Sequence, residues 1–175
     1  MAKSPPESAE VSSWLETSDL DAGWVDTMEA LSGVEDELSV MASEVSQFSL
    51  PPRLKHGDER TAHALQKALA ATYAYRARAT AIIVDVSRTR SKANAESNLL
   101  EAMLYRQNVE FRRLKTQAEK ATVVCAVGPV CHQVFAQAES AIESARQIIK
   151  LCDGLVATAE AMTRAHYAVR DREPK

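Results

Sequence analysis

The sequence predicts an all-α fold: an elongated antiparallel helical hairpin of the coiled-coil type, with an additional N-terminal helix and a disordered N-terminal tail. Three observations lead there. The 175 residues include only five Gly and six Pro, too few turn residues for the strands and crossovers of a β or α/β fold. Apolar residues make up 46% but aromatics only 5%, so Ala, Leu, Ile and Val carry the core, a composition suited to close helix–helix contact. Apolar positions also recur at spacings of three and four over long stretches, the period of one helical face. A chain of this length can bury a working core as one domain.

Residues 1–22 (MAKSPPESAEVSSWLETSDLDA) are rich in Ser, Pro and acids, and Val11, Trp14, Leu15 and Leu20 are the only sizeable apolar residues after Met1. That composition buries too little to offset the entropy of ordering, so a disordered acidic tail is expected. Trp14-Leu15 is read first as part of a loosely packed tail, with a docking anchor as the alternative. A single helical domain then covers 23–175. Its first helix, at about 24–48, carries Trp24, Met28, Leu31, Val34, Leu38, Met41, Val45 and Phe48 on one seam. Pro51-Pro52 ends it by withdrawing backbone donors.

Asp58 offers an N-cap for a second helix, and no Gly or Pro occurs between it and Gly128. A long helix over about 59–127 is therefore expected. Leu65, Leu69, Ala79, Ile83 and Val86 form its first seam, with Thr72 and Arg76 interrupting it. Leu100, Leu104, Phe111 and Leu114 form the second. The polar run Ser87-Arg88-Thr89-Arg90-Ser91-Lys92-Ala93-Asn94, followed by a capping-box pattern at Asn98-Leu99-Leu100-Glu101, leaves a continuous helix or one kinked near 91–97, in preference to a full reversal. Gly128-Pro129 starts a third helix, about 130–169, because Pro suits a first turn. There Phe135, Ala138, Ile142, Ala145, Ile149, Cys152, Val156 and Ala159 alternate steps of three and four. Phe135, Ile142, Ile149 and Val156 are its larger seam residues, the expected helix-packing and oligomer contacts. The third helix is expected to fold back on the second, leaving an apolar edge for helix 1 or a neighbouring copy to cover. A homo-oligomer follows from that edge.

No run of 18 apolar residues marks a membrane span, and the N-terminus has no apolar signal core. Three cysteines, an odd and small set, fit a reducing compartment. The expected location is cytoplasmic, or the host cytoplasm for a viral protein.

Catalytic motifs are lacking: there is no GxGxxG, P-loop, GxSxG or HExxH. Neither an enzyme nor a cofactor is expected. Cys125, Cys131 and His132 flank Gly128-Pro129, but a zinc site wants paired ligands at short spacing plus a second pair. Buried thiols are the better reading, and no metal is expected.

Charge is the functional lead. Residues 1–50 hold eleven acids and one base (−10), residues 51–120 fourteen bases and seven acids (+7), and residues 121–175 six of each, which returns the net −3. Arg76, Arg78, Arg88, Arg90 and Lys92 follow Tyr73 and Tyr75. Further on, Arg106, Arg112, Arg113, Lys115 and Lys120 accompany Tyr105. Lysines and arginines on one track neutralise phosphates, and aromatic faces stack unpaired bases. Arg76, Arg78, Arg88, Arg90, Lys92, Arg106, Arg112, Arg113 and Lys115 with Tyr73, Tyr75 and Tyr105 are therefore the candidate nucleic-acid contacts. The competing reading makes them a solvated face, or the electrostatic partner of the acidic N-terminal third.

The pieces Tyr75-Arg76-Ala77-Arg78, Arg112-Arg113-Leu114-Lys115, Thr122-Val123-Val124-Cys125-Ala126-Val127, Gly128-Pro129-Val130, Arg164 and Arg170 give residues 73–170 a pattern that resembles the phage recombination-mediator proteins of the UvsY-like type. The resemblance implies an oligomeric ring that binds single-stranded DNA and helps load a recombinase. The acidic residues 1–50 have no counterpart in it. Two functions are thus expected. One is a non-enzymatic single-stranded-DNA-binding accessory protein. The other is a structural or adaptor coiled-coil protein, such as a virion or assembly component or an inhibitor. It would meet a protein partner through its seam or its acidic segment.

Overall fold

The computed structural model describes residues 22–48, 50 and 59–170, and every regular element among them is helical. They are α1 (Ala22–Ser46), α2 (Glu59–Gln107), α3 (Val109–Arg113), α4 (Gln117–Val127) and α5 (Pro129–Arg170). The fold is all-α. The expected tail, Ala22 apart, lies outside the described residues, as do the Pro51-Pro52 stop and the Asp58 cap.

The seam of α1 is buried as its spacing requires: Trp24, Leu31, Leu38, Met41 and Val45 are core residues, with Met28, Val34 and Phe48 half-buried beside them. In α2 the buried row is more regular than expected. Leu65, Thr72, Ala79, Val86, Ala93 and Leu100, each seven residues from the last, are all 5% exposed or less. Thr72 does not interrupt the seam. Its hydroxyl donates to the Ala68 carbonyl one turn back at 2.8 Å, which satisfies the polar group and leaves the methyl to pack. Ala93 carries the row through the polar run, so α2 has no break at 91–97. Ile82, not Ile83, is the buried neighbour.

In α5 the four small residues of the expected seam are its most deeply buried members. Ala138, Ala145, Cys152 and Ala159 are wholly buried, flanked by Val134, Ala141 and Ile148. Of the larger residues, Ile142 is buried, while Phe135, Ile149 and Val156 are half-buried. Small side chains let a neighbouring backbone approach closely, so they take the centre and bulkier ones pack along the flanks.

The expected helix to residue 127 ends instead at Gln107. Asn108 accepts a bond from the Phe111 amide at 3.0 Å and caps α3. Thr116 and Glu119 then form a capping box for α4. These side chains supply partners for orphan amides, so the helix stops without Gly or Pro. The break brings Leu100, Leu104, Phe111, Val123, Val124 and Val127 into one apolar cluster. Gly128 completes that corner: a Cβ there would lie 2.6 Å from Leu100 Cδ1.

The chain packs as two compact units, each built from separate stretches of sequence. In the first (Met1–Gly33 and Asp85–Ser140), Arg90 pairs with Glu139 and the Cys131 thiol donates to the Ala93 carbonyl at 3.1 Å. Rising numbers on α2 there meet falling numbers on α5. In the second (Val34–Val84 and Ala141–Lys175), α2 pairs with α1 through Arg78 and Glu37 and with α5 through Arg76 and Asp153.

Candidate functional site

The candidate contacts fall into two groups, set apart by what surrounds them. Arg76 Nε lies 2.8 Å from Asp153. Arg78 makes a two-pronged contact to Glu37, at 2.5 and 2.7 Å, the fork-to-carboxylate geometry that favours arginine. Arg90 lies 3.6 Å from Glu139, and Arg88 lies 3.5 Å from Asp85 on its own helix. Lys92 Nζ sits 5.0 Å from the centroid of the Trp24 ring, a cation–π distance. Tyr75 donates its hydroxyl to Glu44, and its ring packs 5.9 Å from that of Phe48. Tyr73 is half exposed.

These pairings perturb the acids and phenols involved. The hydrogen bond from Arg78 holds the Glu37 carboxyl below its ordinary range, against a smaller upward push from burial. The bond to Glu44 raises the Tyr75 phenol, because an ionised phenol would face a carboxylate.

The second group lies where α2 gives way to α3 and α4. Arg113 is held by Glu110 at 2.6 Å. Glu119 spends its carboxylate on the Lys115 and Thr116 amides at 3.0 Å, and the Thr116 bonds chiefly lower its pKa. Among the described residues no carboxylate lies within 4.0 Å of the side-chain nitrogens of Arg106, Arg112, Lys115 or Lys120. Tyr105 is 54% exposed, with Lys120 Nζ 5.7 Å from its ring centroid. These two side chains, with Asn98, Glu101, Ala102 and Arg106, line a shallow cleft of about 410 Å³. Leu99, next to Asn98 in sequence, and Val109, three residues after Arg106, are both more than half exposed.

The cleft's polar and small members, Asn98, Glu101 and Ala102, were not legible as site residues. They share a face with Tyr105 through three- and four-residue spacing, but α4 opposite them becomes visible only once the Thr116-Gln117-Ala118-Glu119 capping box is read as a new helix start. The counter-ions Asp153 and Glu139 likewise come from a distant helix.

No family model matches the chain, nor does any curated protein or solved structure.

Cys125 is half-buried, and Cys131 and Cys152 are buried. Desolvation pushes the Cys125 thiol up, and the Cys152 thiol too, with Asp153 adding to it. Thiols shifted this way are poor nucleophiles at neutral pH. Among the described residues no group of three or more His, Cys, Asp or Glu side chains is placed to hold a metal ion. Among the described residues no single helix is long and apolar enough to cross a membrane.

Proposed function

We propose that the chain is a non-enzymatic adaptor or assembly component whose long, heptad-built helices form a coiled-coil scaffold that self-associates and docks on a protein partner. The observation that carries this reading is the pairing of Arg76, Arg78, Arg88 and Arg90 with carboxylates of the same chain. A phosphate backbone would have to displace each carboxylate to use these cations, which cancels much of the counterion-release gain that drives nucleic-acid binding. Of the acids in α1, Glu37 pairs with Arg78 and Glu44 accepts from Tyr75, and the apolar seam of α1 is part of the core.

The test is molar mass by light scattering, with and without a 30-nucleotide single strand at about 0.15 M salt. The expected result is a multiple of the 19.2 kDa chain mass, unchanged by the oligonucleotide. A stable DNA complex would overturn the adaptor reading.

A single-stranded-DNA accessory role of the UvsY-like kind remains the second reading. It is supported by the exposed Tyr105 in one cleft with Arg106, and by Arg112 and Lys115, which have no carboxylate within 4.0 Å among the described residues. Binding through those three cations would weaken with salt at a log–log slope of roughly 2, from ~0.7 per phosphate on a single strand. A slope near the value for all nine candidate cations would mean that the internal pairs open.

A further inference from the structure

We propose that copies of this chain join through two different surfaces: the free acidic face at the start of α1, carrying Val25, Asp26 and Glu29, seats in the cleft of Tyr105, Arg106 and Lys120 on a second copy. The inference deepens the self-association part of the adaptor reading and rests on it.

The first surface carries charge of one sign. α1 holds six acids and no Lys or Arg. Glu37 and Glu44 are used by Arg78 and Tyr75, whereas no Lys or Arg nitrogen lies within 4.0 Å of Asp26 or Glu29 among the described residues. Both acids are exposed. Val25, 50% exposed, stands four residues before Glu29, so the two are neighbours on one helix face. Trp24 and Leu31 are turned the other way, into the core. The face is open further along as well: a Cβ added at Gly33, four residues beyond Glu29, would meet nothing within 4 Å.

The second surface is cationic around an aromatic ring. Tyr105 stays 54% exposed with Lys120 Nζ 5.7 Å from its ring centroid. That contact uses the ammonium's charge but none of its three N–H donors on a carboxylate. Arg106 is exposed, and neither cation has a carboxylate within 4.0 Å among the described residues. Glu101 is the one acid lining the cleft, so the two cations leave it net positive.

Charge selects the pairing. One α1 set against another would place carboxylate on carboxylate, and α1 set against Arg76, Arg78 or Arg90 would have to displace Asp153, Glu37 or Glu139. The cleft offers a cation for each of Asp26 and Glu29, and Tyr105 as an apolar contact for Val25. An apolar centre with a complementary charged rim is the anatomy of a protein interface. Both surfaces belong to the first compact unit, yet within one chain their charged groups make no ion pair among the described residues. A second copy supplies the missing contact. Each copy offers one surface of each kind, so the contact is either exchanged between two copies or propagated around a ring.

Molar mass of the full chain by light scattering, followed through a dilution series, tests this with two charge-reversed proteins. Asp26→Lys with Glu29→Lys, and Arg106→Glu with Lys120→Glu, should each raise the apparent dissociation constant about tenfold or more, as expected when two exposed ion pairs become repulsions. An equimolar mixture of the two proteins should regain the parent's mass, because each then meets the other's matching surface. Assembly of the parent should weaken in 1 M salt. The single changes Glu29→Lys and Arg106→Glu fall at exposed positions and should keep the parent's helical circular-dichroism spectrum. They should show the same loss and the same recovery on mixing, at about threefold. An assembled parent whose mass neither reversal lowers, or a loss that mixing does not repair, would overturn this contact and leave the self-association of the adaptor reading standing. A parent that stays at the mass of one chain would overturn both.

Discussion

Between Arg76 and Arg90, each guanidinium of α2 lies within 4.0 Å of a carboxylate, and three of the four carboxylates come from α1 or α5. Between Arg106 and Lys120, four cations have no such neighbour among the described residues. The residue types are the same, and the difference lies in what packs alongside. Over its earlier turns α2 is flanked by helices that present Glu37, Glu139 and Asp153. At the corner it meets α3 and α4, whose acids Glu110 and Glu119 are used locally, one by an intrahelical pair and one by a helix cap. A basic stretch therefore keeps its charge unspent only where the fold sets no carboxylate beside it.

The largest effect that would sharpen this contrast concerns the platform beneath the corner. Phe111 is wholly buried in the cluster with Leu100, Leu104, Val123, Val124 and Val127. Phe111→Ala should cost about 3–5 kcal/mol, the usual range for emptying an aromatic core site, measured by urea unfolding. A loss below about 1 kcal/mol would mean that the corner is not a packed platform and that its cations are not held in place.

A smaller effect belongs to the paired region and depends on pH. Glu37 has its carboxyl lowered by Arg78, so its folded value lies below its unfolded one. The stabilisation it provides is present above the ordinary carboxylate range and is lost as pH falls through the lowered value. Glu37→Gln should lower the melting temperature by ~1–3 °C at neutral pH and by less in acid, given the partial exposure of the pair. A difference that grew on acidification would contradict the assignment.

Much of the helical core was legible from spacing alone. The α1 seam is buried as read, and the Gly128-Pro129 start of α5 is correct to one residue. In α5 the seam was legible, but close packing buries its small members Ala138, Ala145, Cys152 and Ala159 more deeply than the bulkier Phe135 and Ile149. Two features were hidden for physical reasons. Thr72 looked like an interruption because a hydroxyl is polar, yet its bond to Ala68 satisfies that group inside the core. The end of α2 carries no Gly or Pro, and Asn108 and Thr116 end and restart helices by capping instead. At the candidate site, the cationic residue types were evident but their pairing was not. Arg76 and Asp153 are 77 positions apart, and nothing local in either segment announces the contact. The corner cations were in view from the start, whereas the cleft that Arg106 and Lys120 line required knowing that α4 turns back beside α2.

The claim that α2's arginines serve the fold is tested most directly by exchanging one pair. Arg78→Glu and Glu37→Arg, each alone, place like charges where a two-pronged ion pair stood. Together they restore the pair with its polarity reversed. Thermal unfolding of the four proteins should give a favourable coupling of about 0.5–1 kcal/mol, with the double variant melting above both singles. A double variant that melts as low as the two single losses added together would show that the contact carries no energy and that these guanidinium groups are available to other ligands.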